Sequence, residues 1–216
     1  MLLTKLGHAC VRLEKNGARL VIDPGIWAGP EPLDGVTAVL VTHEHADHLD
    51  DATLRGALRA DSDLQLWASQ TVAGQFAEFG RQVHAVHHGD ALSISGFDVH
   101  VYGAEHARVD KAIPVVPNTG FLVDGLVFHP GDSFTVPEEP VPTLLVPVSG
   151  PWLKFSDVAE YMRAVAPERG YWIHDALLND KGAHLWQNLL GIVPASAGPA
   201  SFLVPGTSVE LTRSHI

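Results

Sequence analysis

Four side chains able to bind a metal ion, His43, His45, Asp47 and His48, crowd into the run Thr42-His43-Glu44-His45-Ala46-Asp47-His48. The run follows Ala38-Val39-Leu40-Val41, an apolar stretch that reads as a buried strand. Alternate residues at a strand end point to the same side, so His43 and His45 can face one ion together. Leu49 to Ala60 reads as a helix, so the chain must turn at Asp47-His48 and carry a second pair of ligands to a neighbouring position. Imidazole and carboxylate suit zinc, iron and manganese. A lone histidine is more often structural, but this density of ligands at a strand end points to a metal site.

The elements that must position this run can be read from pattern and turn chemistry. Leu2 to Leu13 and Ala18 to Ile22 read as two strands joined at Lys15-Asn16-Gly17, and the second ends at Asp23-Pro24-Gly25 with a carboxylate at its tip. Further strands are expected over Leu64–Ala68, Val83–Val86, Thr143–Val148, Gly170–Ile173, Phe202–Val204 and Ser208–Leu211. Hairpins are expected over Ala91–Ile94 with Phe97–Tyr102, and over Gly120–Val123 with Leu126–His129. Helices are expected over Gln70–Phe79, over Phe155–Ala166 with Ser156 as N-cap, and over Ala183–Leu190. Polar residues recur at strand ends: Asp23, His106, Asp132 and His174. No linker divides the chain, so one domain is expected over 1–216, in two pseudo-repeated halves of about 1–110 and 111–216. Hairpins followed by strand–helix units suggest packed mixed sheets, although pattern alone does not select that arrangement.

Composition narrows the partners. The chain has 216 residues, with 14 Lys and Arg against 25 Asp and Glu, a formal charge of −11. That balance argues against a nucleic-acid backbone as the main partner and fits a small-molecule substrate. The single cysteine, Cys10, excludes an intrachain disulfide and a cysteine-rich zinc site, and lies in an apolar segment as a buried small hydrophobe. The N-terminus has no charged region followed by an apolar one, and no run approaches the ~18 apolar residues of a membrane span, so a cytoplasmic protein is expected. Composition leaves a homo-oligomer open.

The run His43 to His48 resembles the metal-binding signature of the metallo-β-lactamase fold superfamily. The resemblance implies an α/β (α+β) fold, a four-layer αββα sandwich of two mixed sheets with helices outside and metals at one edge. It also implies roles for particular residues. His43, His45 and His106 correspond to the imidazoles of a first metal site, and Asp47, His48 and His174 to ligands of a second. Asp132, in His-Pro-Gly-Asp-Ser, resembles the Gly-Asp carboxylate that bridges both ions. Asp23, in Ile-Asp-Pro-Gly, resembles the aspartate that hydrogen-bonds ligand histidines from behind and fixes their tautomer. His8, in Leu-Gly-His-Ala, matches a position that approaches the site in simpler hydrolases of the superfamily. His174 is preferred over His184 because an apolar Tyr-Trp-Ile strand delivers it. His84, His87, His88, His100 and His215 read as surface or structural.

Two divalent ions are implied, zinc first, with manganese or iron also suited. They point to a hydrolase that uses a metal-bridging hydroxide on a small ester, lactone or phosphodiester, with Asp132 or Asp47 orienting the nucleophile and accepting its proton. Ser149-Gly150-Pro151 is expected to line the substrate. Aspartate rather than cysteine at position 132 argues against antibiotic hydrolysis, and no basic arm or flavodoxin-like segment is evident. The chain is similar to the compact stand-alone group that includes ascorbate-6-phosphate lactonase. The competing readings are a diiron sensor or binding protein on the same fold and a nucleic-acid phosphodiesterase.

Overall fold

The structure, a computed structural model, describes residues 1–30, 32–192 and 198–212. The chain begins with β1 (Leu2–Gly7), β2 (Cys10–Lys15), β3 (Ala18–Ile22), β4 (Ala38–Val41), β5 (Gln65–Ala68) and β6 (Val83–Ala85), which lie side by side in that order. The helices α1 (Asp51–Ala60) and α2 (Gln70–Gln75) connect the parallel part of this sheet. Next come β7 (Ala91–Ile94), β8 (Phe97–Tyr102), β9 (Gly120–Val123), β10 (Val127–His129), β11 (Thr143–Pro147), β12 (Arg169–Ile173) and β13 (Ala200–Ser201), which form the second sheet. Its helices are α3 (Phe155–Val165) and α4 (Asp180–Leu190). The last strand, β14 (Ser208–Glu210), returns to the first sheet beside β1, with Val209 opposite Leu3.

The layers follow from period-two burial on both faces of each sheet. In β4 all four residues are buried. Ala38 and Leu40 pack between the sheets with Phe97, Val101, Phe121 and Leu145, while Val39 and Val41 pack outward beneath α1 and α2. Helix α1 starts where the Asp50 carboxylate accepts from the Thr53 N–H at 3.1 Å, and it buries Leu54 and Leu58, one turn apart. On the far side, Val158, Tyr161 and Met162 of α3 cover Phe128, Leu144 and Val146. The result is the αββα sandwich of two mixed sheets expected from the resemblance.

Several elements differ from the sequence reading. Leu2 to Leu13 is not one strand but two antiparallel strands that turn at Gly7-His8-Ala9. Gly7 at φ 144° and His8 at φ 47° make that turn, and the glycine at position 7 is its local signal in the sequence. Helix α2 stops at Gln75, and a 3-10 turn over Ala77–Gln82 follows. The N-cap of α3 is Lys154 rather than Ser156, and the Asp157 carboxylate accepts from its N–H at 3.3 Å. Phe202 and Val204 lie outside any strand and are exposed; Ala200–Ser201 pairs instead. The chain passes from the first sheet to the second between Ala85 and Ala91, and β14 crosses back. No described helix is long and apolar enough to cross a membrane.

Candidate metal centre

The strand ends meet at one rim. Thr119 joins the sheets there, donating its backbone N–H to the Thr42 carbonyl at 2.9 Å. Asp23 closes β3, the His43–His48 run follows β4, His106 and Asp132 sit in loops after β8 and β10, and His174 follows β12. Three of the rim residues, His8, Asp23 and His174, hold left-handed backbones at φ 47°, 54° and 56°, a conformation that costs about 1–3 kcal/mol in a residue with a side chain and clusters at functional sites. Glycine is required at two approaches. A Cβ on Gly25 would lie 2.0 Å from the Asp47 carbonyl oxygen, and one on Gly131 would lie 2.3 Å from Asn118 Oδ1.

Two groups of ligand atoms result. His43, His45, His106 and Asp132 form one, His8, Asp47, His48 and His174 the other, with the atoms of each group within 4.8 Å of one another. Asp132 reaches across both. Its Oδ1 lies 3.0 Å from His48 Nε2, and its Oδ2 lies 3.0 Å from His174 Nε2 and 3.3 Å from His106 Nε2. His45 is exposed and Asp47 half-buried, so the centre opens on their side. Buried His48 Nε2, His106 Nε2, Asp132 Oδ1 and both ring nitrogens of His174 have no hydrogen-bond partner despite these short separations. Buried polar atoms are nearly always satisfied, and imidazole nitrogens converging with carboxylate oxygens suit a divalent ion.

Hydrogen bonds behind the ligands fix which nitrogen faces inward. Asp23 accepts from the Thr42 N–H at 2.8 Å, the Thr42 hydroxyl at 2.7 Å and His48 Nδ1 at 2.6 Å. Thr42 Oγ1, having donated to Asp23, accepts from His43 Nδ1 at 3.0 Å. His106 Nδ1 donates to the Ala107 carbonyl at 2.5 Å. As neutral rings, the form that binds a metal, His43, His48 and His106 therefore all present an unprotonated Nε2, while His45 turns Nδ1 toward His43 Nε2 at 3.1 Å. His8 differs. Its Nδ1 accepts from the Ala176 N–H at 3.2 Å, so Nε2 carries the proton and donates to Asp47 Oδ2 at 3.2 Å. His8 thus orients a carboxylate and has no lone pair left for an ion.

The charges are strongly coupled. Burial pushes His43 well down, and the neighbouring His48 adds to the shift. Burial opposes a charged His48 too, but Asp132 and Asp23 outweigh it and raise it well above its usual value. His174 behaves alike: burial is outweighed by the close carboxylates of Asp132 and Asp47, which raise it to about 9. Burial would raise the Asp132 carboxyl, but His48 and its hydrogen-bonded histidines hold it well below the carboxylate range. Protons on His48 and His174 thus occupy the place where a cation would compensate the two carboxylates.

The structure brings together all the residues singled out in the sequence: His43, His45, Asp47, His48, His106, Asp132 and His174, with Asp23 and His8 against them. His184 is exposed on α4, outside both ligand groups. His84 stacks on Trp67 and bonds Gln65, and His87, His88 and His100 also lie apart; His215 is outside the described residues. Ser149 is buried and donates to the His174 carbonyl, so it braces a ligand strand. Three contributors were missed. Trp152 Nε1 donates to Asp132 Oδ2 at 2.9 Å, Asn118 Oδ1 accepts from the Asp132 N–H at 3.0 Å, and buried His129 ties the Ala9 carbonyl to the Gly131 N–H. Only His129 had a signal, as the first residue of the His-Pro-Gly-Asp motif. Cys10 is buried, and burial pushes its thiol well up, which leaves it inert.

A two-sheet sandwich with histidine and aspartate ligands at one rim defines the metallo-β-lactamase class of metal-dependent hydrolases. The chain belongs to the beta-lactamase superfamily domain family, which matches residues 2–171. It is 39% identical over 184 residues to Protein Rv0786c of Mycobacterium tuberculosis, covering 82% of this chain and 85% of that one. It is 28% identical to a UPF0173 metal-dependent hydrolase of Pyrococcus abyssi, over 67% of this chain and 71% of the relative. Of several other UPF0173 metal-dependent hydrolases the chain spans 58–63% of the length. Igni18, a metallo hydrolase of the archaeon Ignicoccus hospitalis, shares the fold with a TM-score of 0.75 at 21% identity, covering 96% of this chain and 97% of that one.

Proposed function

We propose that this hydrolase is dinuclear and cleaves a small ester, lactone or phosphodiester. The observation that carries the reading is the Asp132 carboxylate, whose oxygens face His48 and His174 of one ligand group and His106 of the other. One ion would be held by His43, His45, His106 and Asp132, the other by Asp47, His48, His174 and Asp132. Bound divalent ions, zinc first, would supply hydroxide near neutral pH and polarise the substrate's carbonyl or phosphoryl oxygen.

The chain's own residues divide the remaining work. Asp132 is buried and held by the Trp152 indole, Asn118 and three imidazoles, which suits it to fixed support. Asp47 keeps part of its side chain open to solvent and is oriented by His8, which suits it to accept the nucleophile's proton and release it outward. The buried backing of Asp23, Thr42 and His48 excludes water from behind the ligands.

Metal quantification on the purified protein, coupled to a screen of phosphodiester, lactone and thioester substrates, tests the reading. Two equivalents of zinc or manganese with hydrolysis are expected, and Asp132→Ala should lose at least one equivalent and at least ~10³-fold in kcat/KM. A redox-active iron pair without hydrolysis would establish the sensor reading instead. RNA or single-stranded DNA cleavage abolished by Asp132→Ala would establish the nucleic-acid reading.

A further inference from the structure

Beside the centre, on the His8 side, lies a recess of about 320 Å³, within the range of small-molecule sites. Its walls are mostly apolar: Trp27, Trp172, Leu178 and Phe202. Trp27 and Phe202 are 42% and 43% exposed, an unusual cost for large aromatic side chains unless something covers them. Ile26 and Leu177, their neighbours in sequence to Trp27 and Leu178, are exposed at 54% and 56%. The recess touches the centre through His8. That ring lies 4.8 Å from Trp27 and 4.1 Å from His174, centroid to centroid, and bonds Asp47. His8 is thus the wall shared by the recess and the Asp47–His174 side of the centre.

The charge around the recess is negative. No arginine or lysine is among its described lining residues, which include Asp175 and Asp180. Lys5, behind the wall, is buried and committed, with Nζ 2.7 Å from Asp175 Oδ2 and donating to the Trp172 carbonyl at 2.8 Å. The Lys5–Asp175 pair cancels, leaving the exposed Asp180 to set the field of the lining. A phosphate or carboxylate placed here would find no cation to pair with, whereas an alkyl or aryl group would cover the exposed rings.

We infer that the recess selects the substrate: an ester or lactone carrying an uncharged alkyl or aryl group, which packs against Trp27 and Phe202 while the ester reaches the centre. This rests on the dinuclear hydrolase reading for the chemistry, but not for the binding. Binding can be read without metal, by titrating the EDTA-treated full-length protein with the neutral fluorophore N-phenyl-1-naphthylamine. Saturable binding is expected, weakened about tenfold by Phe202→Ala, with Trp27→Ala as the second variant. Specificity can be read on the zinc-loaded protein with p-nitrophenyl hexanoate, acetate and hemisuccinate. Hexanoate should exceed acetate in kcat/KM by about tenfold and hemisuccinate should trail both. Phe202→Ala should erase the hexanoate advantage through KM, and Asp180→Lys should raise hemisuccinate turnover. No saturable fluorophore binding, or binding unchanged in both variants, overturns the inference, as do equal rates for hexanoate and hemisuccinate. Failure of the loaded protein to cleave any ester, lactone or phosphodiester would instead sink the dinuclear hydrolase reading, with the fluorophore titration still deciding the recess.

Discussion

The two ligand groups are built differently. In the group of His43, His45, His106 and Asp132, two members come from one strand end, and hydrogen bonds to Thr42 and Ala107 hold the His43 and His106 rings. The group of His8, Asp47, His48 and His174 likewise takes two members from that run, but its other two, His8 and His174, have left-handed backbones. His48 is braced by Asp23, but neither nitrogen of His174 has a hydrogen-bond partner. Preorganised ligands bind more tightly because less ordering is lost when the ion arrives. The first group should therefore hold its ion more strongly than the second. Asp132 and Asp23 couple them, the one by reaching ligands of both groups and the other through Thr42 to His43 and directly to His48.

The largest effect should come from breaking that coupling. Asp23→Ala leaves buried His48 Nδ1 and the Thr42 N–H without acceptors and frees both His43 and His48 to rotate. Loss of one partner from a buried pair costs about 3–5 kcal/mol, and removal of such backing lowers metal affinity about 10–100-fold. Calorimetric titration with zinc should show both binding steps weakened; a change confined to one step would show that the two groups are not jointly braced. His174→Ala comes next and should separate them. One equivalent should be lost while the first remains, as counted by inductively coupled plasma mass spectrometry. His184→Ala, at an exposed position, should retain both, and equal losses in the two variants would remove His174 from the ligand set.

How much of this was legible in the sequence follows the same division. The strand-end run from His43 to His48 declares itself because its residue types are wrong for a core and its spacing matches strand periodicity. Asp23, His106, Asp132 and His174 could be listed as polar strand ends, but only the family resemblance could join them, since nothing local says which ends share a rim. The Gly7-His8-Ala9 turn has one glycine as its local signal, too little to divide the segment, and without the turn nothing shows why His8 reaches Asp47. Trp152 and Asn118 carry no signal, because an indole N–H or a side-chain amide becomes specific only when folding sets it against Asp132. The apolar recess was equally hidden: Trp27 and Phe202 are far apart in sequence, and hydrophobicity alone would have assigned both to the core.

The smallest effect tests what occupies the second group when no ion does. His174 is raised to about 9 by Asp132 and Asp47, and His48 is raised in the same sense by Asp132 and Asp23. A group whose pKa is higher in the folded state stabilises the fold fully below its unfolded value, here about 6.5, and the contribution fades as pH rises through the folded value. The metal-free protein should therefore lose about 1–3 kcal/mol between pH 6.5 and 9, a fall of roughly 3–10 °C in melting temperature. In the zinc-loaded protein the ion takes the place of those protons, and deprotonation assists binding, so the melting temperature should hold or rise across the same window. Melting curves of EDTA-treated and zinc-loaded samples at pH 6.5, 7.5 and 9 make the comparison, and the metal-free slope should flatten in His174→Ala. Parallel slopes with and without zinc would mean that the ion does not displace protons from His174, and would place it elsewhere.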